Sequence, residues 1–275
     1  MDRTTIIKLT GNKPGKTLTI MGGVHGNEIC GVQALDKLRD ELKIEAGELY
    51  LIYGNPRAIE ANQRQTEMNL NRAFRPSEEM QDWEKRTYER ARAIEIMPYL
   101  AASHALLDVH SSKTEKSTPF IICEPKSFHF ARLLPFPIRS NGWDKIEPGG
   151  TDYFVNRCGG FGICVECGHH LDPEAPIRAE IAIKTFLTIF GAKTGSCPTE
   201  HPNQREIFVH HIHHTKVNFT PVRKFSDFEP LQENELIGHD GDTEIRSPAG
   251  NLLIIFCNKK DIPNEEAFIL GKKMQ

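Results

Sequence analysis

The sequence lacks the features that mark membrane-spanning, secreted or nucleic-acid-binding proteins. It has no run of about 18 apolar residues, so we expect no spanning helix. Residues 1–15 are polar and do not contain the apolar core of a signal peptide. The formal net charge of -3 offers no basic footprint for nucleic acid. We therefore expect a cytoplasmic protein with a small-molecule partner, no nucleic-acid or membrane partner, and a possible homo-oligomeric assembly.

The sequence also lacks a disulfide framework and internal repeats. Seven cysteines, an odd number, are scattered over 275 residues, which is typical of reduced thiols. Cys164 and Cys167 have CxxC spacing, but residues three apart on a strand point to opposite faces, so we expect neither a zinc nor a redox site there. Tyrosine is scarce, with five in the chain and none after Tyr153.

The order of the predicted elements is typical of an α/β fold. Residues 17–20 predict a strand, an amphipathic helix follows Glu28, and residues 48–53 predict a second strand. Such a unit favours parallel strands joined by a crossover helix, with functional groups at the carboxyl ends of the strands. The remaining pattern predicts strands over 105–109, 120–123 and 162–167, and helices over 78–103, 151–158 and 174–190.

Two of these helices carry more detailed expectations. In the helix over 78–103, Trp83, Ala91, Ile94, Met97 and Leu100 are predicted to face inward, and Pro98 is predicted to kink or divide it. In the helix over 151–158, Thr151 is predicted to be the N-cap.

The composition changes near residue 195, where prolines begin to separate short alternating segments. We expect a main catalytic domain over 1–194 and a small β-rich domain over 195–275. A histidine cluster in the second part invites a metal site, but its members divide between two strand faces without a carboxylate or thiol beside them. An exposed strand edge is therefore favoured for His210, His211, His213 and His214.

His25 and Glu28 suggest half of a metal site. They lie three residues apart where a glycine-rich turn joins the first strand to the first helix, and imidazole with carboxylate suits zinc. The spacing alone is not specific, because His169 with Asp172 and His239 with Asp242 share it. The strand, turn and helix around the first pair single it out.

Two further candidates lie at predicted strand ends. His110 follows the strand over 105–109 and shares one strand face with Asp108. Glu166 ends the apolar strand over 162–167, where an unpaired carboxylate is costly to bury. It either transfers protons near a metal or forms a buried ion pair with an arginine.

The polar segment 55–76 shows no sustained period and contains four arginines: Arg57, Arg64, Arg72 and Arg75. Guanidinium groups match carboxylates bidentately, so this loop could line an anion site. The alternative is a solvated loop whose arginines pair with Glu60 and Glu67.

Four motifs in this order resemble the aspartoacylase and succinylglutamate desuccinylase family, relatives of the zinc carboxypeptidases. They are His25-x-x-Glu28, Asn71-Arg72, Asp108-Val109-His110-Ser111 and Val165-Glu166-Cys167-Gly168. The resemblance implies an α/β, zinc carboxypeptidase-like fold with a mixed, largely parallel sheet flanked by helices and a smaller C-terminal β domain.

The resemblance also implies roles for individual residues. His25, Glu28 and His110 would hold one Zn²⁺ per chain. Glu166 would be the general base, and Arg64 would stabilise the oxyanion of the tetrahedral intermediate. Substrate anions would be bound by Asn71, Arg72, Tyr153 and Arg157.

The function implied is that of a zinc-dependent amidohydrolase, or deacylase, cleaving the amide of a small N-acyl amino acid or related carboxylate-bearing substrate. Aspartoacylases have a substrate-binding tyrosine in the C-terminal segment, where this chain has Phe268. N-acetylaspartate is therefore not assigned as the substrate. The alternatives are a carboxypeptidase acting on peptide C-termini and a catalytically silent protein that binds a carboxylate metabolite.

Overall fold

The structure, a computed structural model, describes residues 4–196 and 198–274. These residues form an eleven-stranded sheet and a separate three-stranded antiparallel sheet. The strands in chain order are β1 (Ile6–Thr10), β2 (Lys13–Gly22), β3 (Ala46–Tyr53), β4 (Ala105–Ser112), β5 (Phe120–Ile122), β6 (Ile138–Asn141), β7 (Phe161–His169), β8 (Arg205–His214), β9 (Phe219–Pro221), β10 (Glu229–Leu231), β11 (Leu236–Asp240), β12 (Thr243–Arg246), β13 (Leu252–Ile255) and β14 (Glu266–Lys273).

Helices connect the strands of the first two thirds of the chain. Within the described ranges the α-helices are α1 (Ile29–Leu38), α2 (Pro56–Ala61), α3 (Tyr88–Ala102), α4 (Phe128–Ala131), α5 (Trp143–Ile146), α6 (Thr151–Arg157) and α7 (Ala175–Ile189). Short 3₁₀ segments cover Leu70–Arg72, Ser77–Glu79, Glu84–Arg86 and Pro125–Ser127.

The middle of the larger sheet is parallel. Strands β3, β2, β4 and β7 lie side by side in parallel pairs, within the order β1-β3-β2-β4-β7-β5-β6-β8-β14-β13-β10. Antiparallel pairs flank this part on both sides. The α/β class with a mixed sheet is therefore confirmed. Because parallel strands end at one edge, the segments that follow β3, β2, β4 and β7 meet there.

Helices cover both faces of this parallel part. On one face, Leu35 of α1 and Phe186 of α7 belong to an apolar cluster with the strands. On the other face, Ile96 of α3 and Val155 of α6 belong to a second cluster. The sheet is thus the middle of three layers, as expected when strands are apolar on both faces.

The predicted helix over 78–103 is wrong in its first part. Helix α3 begins at Tyr88, where the Thr87 hydroxyl accepts a hydrogen bond from Arg90 N, and two 3₁₀ segments precede it. A threonine cap thus starts the helix ten residues later than predicted. Pro98 lies inside α3, which continues to Ala102.

The predicted inward face of α3 is also partly wrong. Trp83 and Ile94 are 52% and 55% exposed, and Ala91 is exposed as well. Leu100 is buried and Met97 packs partly buried against the same cluster, as predicted. The helix also buries Ala93 and Ile96 together with charged side chains, of which Glu89 and Arg92 are examples. A search for apolar residues at helical spacing could not identify this face, because it includes buried charged side chains that bond to the backbone of the neighbouring loop.

Strands from residues 205–273 build the smaller sheet and also extend the larger one. β9, β11 and β12 form the three-stranded sheet, whereas β8 joins the larger sheet through β6 and pairs with β14. The division of the chain after residue 194 stays a prediction. None of the helices in the two described ranges combines the length and the apolar character that crossing a bilayer demands.

Candidate active site

Three neighbouring parallel strands position the predicted site residues. β2 ends three residues before His25, β4 carries His110, and β7 places Glu166 opposite His110 in register. Register partners on adjacent strands present side chains on the same face of a sheet. The chain leaves β2 through Gly23, whose φ of +71° favours glycine.

His25 and Glu28 lie in a turn before α1 and not within its first helical turn. Glu28 N donates to His25 O at 3.1 Å, and the helix begins at Ile29. Gly26 lets this turn approach α2, because a Cβ there would be 2.0 Å from the carbonyl carbon of Ala58. The close approach of α2 therefore leaves no room for a larger residue at this point of the turn.

The side chains of His25, Glu28 and His110 converge. Nδ1 of His25 is 2.7 Å from Glu28 Oε1, and Nδ1 of His110 is 2.9 Å from Glu28 Oε2. All three residues are buried, and one potential ligand atom from each lies within 4.8 Å of the others. Two imidazoles and a carboxylate form a donor set typical of catalytic zinc.

The outer nitrogens of both imidazoles face oxygen atoms. Nε2 of His25 is 3.0 Å from Asn69 Oδ1, and Nε2 of His110 is 3.0 Å from Asp108 Oδ2. With its hydrogen on Nε2, His25 donates to Asn69 and turns an unprotonated Nδ1 towards the Glu28 carboxylate. The same tautomer of His110 points its hydrogen towards Asp108, although this 3.0 Å contact is not well directed for a hydrogen bond. Three acceptors then face one another, an arrangement that a cation stabilises. The residues therefore fit a metal ion.

The charges of the protein groups agree with this assignment at Glu28 and His25. Burial, and then the charge of Arg64, lower the pKa of His25 to about 4, so its imidazole is neutral. Burial opposes ionisation of Glu28, but the two histidines outweigh it and hold its pKa well below the usual value. Burial likewise opposes charge on His110, but Asp108 outweighs it and raises the pKa of His110. Without a metal, a proton on Nδ1 of His110 therefore lies between this imidazole and Glu28, in the place that a metal ion would take.

Asp108 lies against His110, with its Oδ2 3.0 Å from His110 Nε2. Its Oδ2 also accepts a hydrogen bond from Thr151 Oγ1 at 2.5 Å. Thr151 is the first helical residue of α6 and Gly150 is the N-cap, so the predicted capping role of Thr151 is wrong. The carboxylate of Asp108 also forms a possible ligand group with His110 and Cys164. Burial raises the pKa of the Cys164 thiol, and a protonated thiol is a poor ligand.

Replacing Asp108 by Asn should weaken zinc binding by about 10- to 100-fold, because outer contacts of this kind orient the ligating imidazole. Competition with a chromogenic chelator measures the dissociation constant. Asp242→Asn, at an exposed position, is the control and should leave it unchanged. Equal zinc affinity in the folded Asp108 variant would contradict the orienting role.

Glu166 lies beside this group without a charged partner. Its side chain is buried, and its Oε2 has no hydrogen bond from any residue in the described ranges. Burial, and then the charge of Glu28, raise its pKa well above the usual value. The ion pair with an arginine, the alternative for this residue, is absent from the described part of the chain. The carboxyl group is therefore available for proton transfer.

Charged side chains of helix α3 form hydrogen bonds with backbone atoms of the arginine-rich loop. Arg92 donates to Tyr53 O and Gly54 O, at the end of β3. Arg90 donates to Ala73 O and Arg75 O further along. The buried Glu89 carboxylate accepts from the backbone amides of Thr66, Glu67 and Met68. A polar loop is thus fixed beside the candidate site by charges that are fully hydrogen-bonded.

The four loop arginines have partners other than Glu60 and Glu67. Arg64 Nη1 is 3.1 Å from Glu28 Oε1, and its side chain is 39% exposed. The guanidinium of Arg72 contacts two carboxylates, at distances given below. The remaining contacts are Arg75 with Glu84 and Arg57 with the ring of Tyr88.

The structure brings Asn71 close to the candidate ligands. Asn71 Oδ1 accepts from Thr151 N at 3.1 Å, and the hydroxyl of Thr151 contacts Asp108. Asn71 N donates to Asn69 Oδ1, the same atom that faces His25. Asn69 and Thr151 were not predicted as site residues, and only their proximity to the Asn71 and Asp108 motifs signals them.

Tyr153 and Arg157 contact each other on α6. Arg157 Nη1 donates to the Tyr153 hydroxyl at 3.3 Å, and Tyr153 is buried. Arg157 is exposed and lines a cavity of about 310 Å³ to which none of the candidate metal ligands contributes. The structure therefore does not bring Arg157 to the metal ligands, and the substrate-binding roles of both residues stay predictions.

Comparison with known proteins identifies the family of this chain. The profile of the succinylglutamate desuccinylase/aspartoacylase catalytic domain matches residues 14–190, which is more than half of the chain. This chain belongs to that family. The resemblance of the four motifs is therefore confirmed.

Relatives in the aspartoacylase family include a probable aspartoacylase from Nostoc sp. (strain PCC 7120). It is 32% identical over 184 residues, covering 63% of this chain and 61% of that protein. A succinylglutamate desuccinylase from Pseudomonas fluorescens is 34% identical over 99 residues, covering 34% of this chain and 28% of that protein. The chain thus spans about three fifths of the first relative.

Solved structures of the aspartoacylase family share the fold of nearly the whole chain. A succinylglutamate desuccinylase/aspartoacylase from Rhodobacter sphaeroides superposes with a TM-score of 0.75 at 18% identity, covering 98% of this chain and 89% of that one. A succinylglutamate desuccinylase from Vibrio cholerae gives a TM-score of 0.78 at 16% identity, with 98% and 86% coverage.

The histidine cluster of β8 is distant in sequence from the candidate metal ligands, and its side chains contact other groups. His213 Nε2 is 3.1 Å from Asp240 Oδ2, and its ring stacks on Phe268. His210 and His211 are exposed beside a cavity of about 450 Å³. Among the described residues, this cluster contributes to neither of the groups that could hold a metal.

Proposed function

We propose that this protein is a zinc-dependent amidohydrolase that cleaves the amide bond of a small N-acyl amino acid or a related carboxylate-bearing substrate. The observation that carries the proposal is the convergence of His25, Glu28 and His110 beside the unpaired carboxyl group of Glu166. The family membership supports the same reaction class, because relatives are named aspartoacylase and succinylglutamate desuccinylase.

His25, Glu28 and His110 would hold the zinc ion. When bound, zinc supplies a Lewis acid that polarises a carbonyl and lowers the pKa of water towards about 7. Glu166 takes a proton from the attacking water on its carboxylate and passes it to the departing amine. Arg64 stabilises the negative charge that develops on the carbonyl oxygen.

Substrate recognition falls to the loop and to α6. Asn71 is fixed through its Oδ1, so its Nδ2 amide remains to donate to a substrate carboxylate. Tyr153 and Arg157 are proposed as further anion ligands, whereas the neighbouring Arg72 is engaged by two carboxylates of the protein. Glu266 of the C-terminal segment contacts Arg72, which supports a closed pocket for small substrates over an open groove for peptides.

A hydrolysis screen tests this function. Zinc-loaded protein should release free amine from acetyl or succinyl derivatives of amino acids and leave unblocked peptides intact. Release of C-terminal residues from peptides would instead favour a carboxypeptidase. Binding of a carboxylate metabolite without turnover of any derivative would favour a silent binding protein.

A further inference from the structure

The guanidinium of Arg72 is already occupied by groups of the protein. Its Nη2 is 2.6 Å from Glu147 Oε1 and 2.7 Å from Glu266 Oε1, and its Nε is 3.2 Å from the same Glu266 oxygen. Its Nη1 donates to Asn71 O at 2.8 Å. All three nitrogens therefore have partners, and no free fork remains for a substrate carboxylate.

Two carboxylates beside one guanidinium would leave one negative charge without compensation if both were ionised. Burial, opposed by the charge of Arg72, raises the pKa of Glu147 to about 8. Burial also opposes charge on Glu266, but Arg72 outweighs it and lowers the pKa of Glu266. At neutral pH the group is thus held as Arg72⁺, Glu266⁻ and protonated Glu147.

The other charged groups nearby do not supply the missing positive charge. Arg64 also acts on Glu147 and Glu266, but its guanidinium pairs with Glu28 at 3.1 Å. Lys260 acts on Glu266 from the C-terminal segment, and its strongest acidic neighbour is Glu265. The excess carboxylate of the Arg72 group therefore stays uncompensated by these cations.

The Arg72 group is linked to the candidate metal ligands through a chain of contacts and is open on one side. Arg72 adjoins Asn71, which is linked through Thr151 to Asp108 and so to His110. The side chain of Glu266 is 31% exposed, so a ligand can reach it. Oε1 of Glu147 is shielded from solvent, and its 2.6 Å contact with Arg72 Nη2 is not well directed for a hydrogen bond, so a further donor would satisfy it.

We propose that Glu147 and Glu266 bind a cationic amino group of the substrate, so that the preferred substrates are N-acyl derivatives of amino acids with a basic side chain. This inference rests on the proposed function and names its substrate class. An ammonium group between the two carboxylates gives two positive and two negative charges. The substrate's carboxylate is then left to the side-chain amide of Asn71.

Isosteric substrates measure this preference. Nα-acetylornithine and Nα-acetylnorleucine have side chains of equal length that differ in an ammonium and a methyl group. We expect kcat/KM for the ornithine derivative to be at least about 10-fold higher, since hydrogen bonds to charged groups are the strong ones. Binding of the ammonium at pH 7 should also release a proton from Glu147 to the buffer, which calorimetry in buffers of different ionisation enthalpy detects.

Variants that neutralise one or both carboxylates test whether these groups cause the substrate preference. Glu147→Gln and Glu266→Gln each leave one carboxylate for Arg72, so the preference for the ornithine derivative should fall to near unity. The double variant frees Arg72 and should favour Nα-acetylglutamate. Glu265→Gln, which removes the neighbouring charge without touching Arg72, should retain the wild-type preference. Equal use of the two isosteres by the wild type, or a preference unaffected by both single variants, would overturn the inference.

Failure of the inference can be separated from failure of the proposed function. If no acyl derivative is cleaved by the zinc-loaded protein, the hydrolase proposal fails. Binding of free ornithine and of free norleucine, measured by calorimetry, still tests the site formed by Glu147 and Glu266, because binding does not require turnover. Tighter binding of ornithine with proton release supports the subsite, and equal binding rejects it.

Discussion

Replacing Glu166 by Gln is expected to lower kcat by about 10²- to 10⁴-fold, the contribution typical of a positioned general base. Glutamine keeps the size of the side chain but cannot accept the proton. Because Glu166 makes no ion pair with the described residues, its replacement should not release a buried partner. Steady-state kinetics on the best substrate of the screen, with zinc content measured in parallel, give the result.

The pH profile provides a second readout for Glu166. A base acts in its ionised form, and burial raises the pKa of this carboxyl group. Activity of the wild type should therefore rise with pH through that raised pKa, and the rising limb should be missing in the glutamine variant. Glu174→Gln, at an exposed position, serves as the control. Full activity in the Glu166 variant with zinc bound would remove the proposed mechanism.

The residues at strand ends could be predicted because a parallel sheet imposes a simple geometry. Once β2, β4 and β7 are identified as neighbouring strands, His25, His110 and Glu166 must lie at the same edge. The period of two along β4 also places Asp108 on the side of His110. Local sequence therefore contains most of the information about the candidate metal ligands.

The partners of Arg72 could not be predicted in this way. Glu266 is 194 positions away in sequence and reaches Arg72 only because β14 belongs to the larger sheet. The buried face of α3 was missed for a different reason: it carries Glu89 and Arg92, which hydropathy patterns assign to solvent. Both are contacts between charged groups, whose burial depends on tertiary hydrogen bonds and not on periodicity.

Replacing Glu28 by Gln is expected to abolish stoichiometric zinc binding and, with it, hydrolysis. Glu28 contacts both candidate histidines, Arg64 and the backbone amide of Ser111. A neutral amide removes the negative ligand and places NH₂ donors where a cation should lie. The loss of zinc affinity should exceed the roughly 10- to 100-fold cost of an outer contact.

The chain contains its own control for the Glu28 experiment. Asp172 has the same spacing from His169 as Glu28 has from His25, but it pairs with Arg178 at 2.6 Å. Asp172→Asn should therefore retain one zinc per chain. Added zinc should raise the unfolding temperature of the wild type and of this control, because a ligand that binds only the folded state stabilises it. The Glu28 variant should show no such rise, and zinc bound to it at full stoichiometry would show that the metal lies elsewhere.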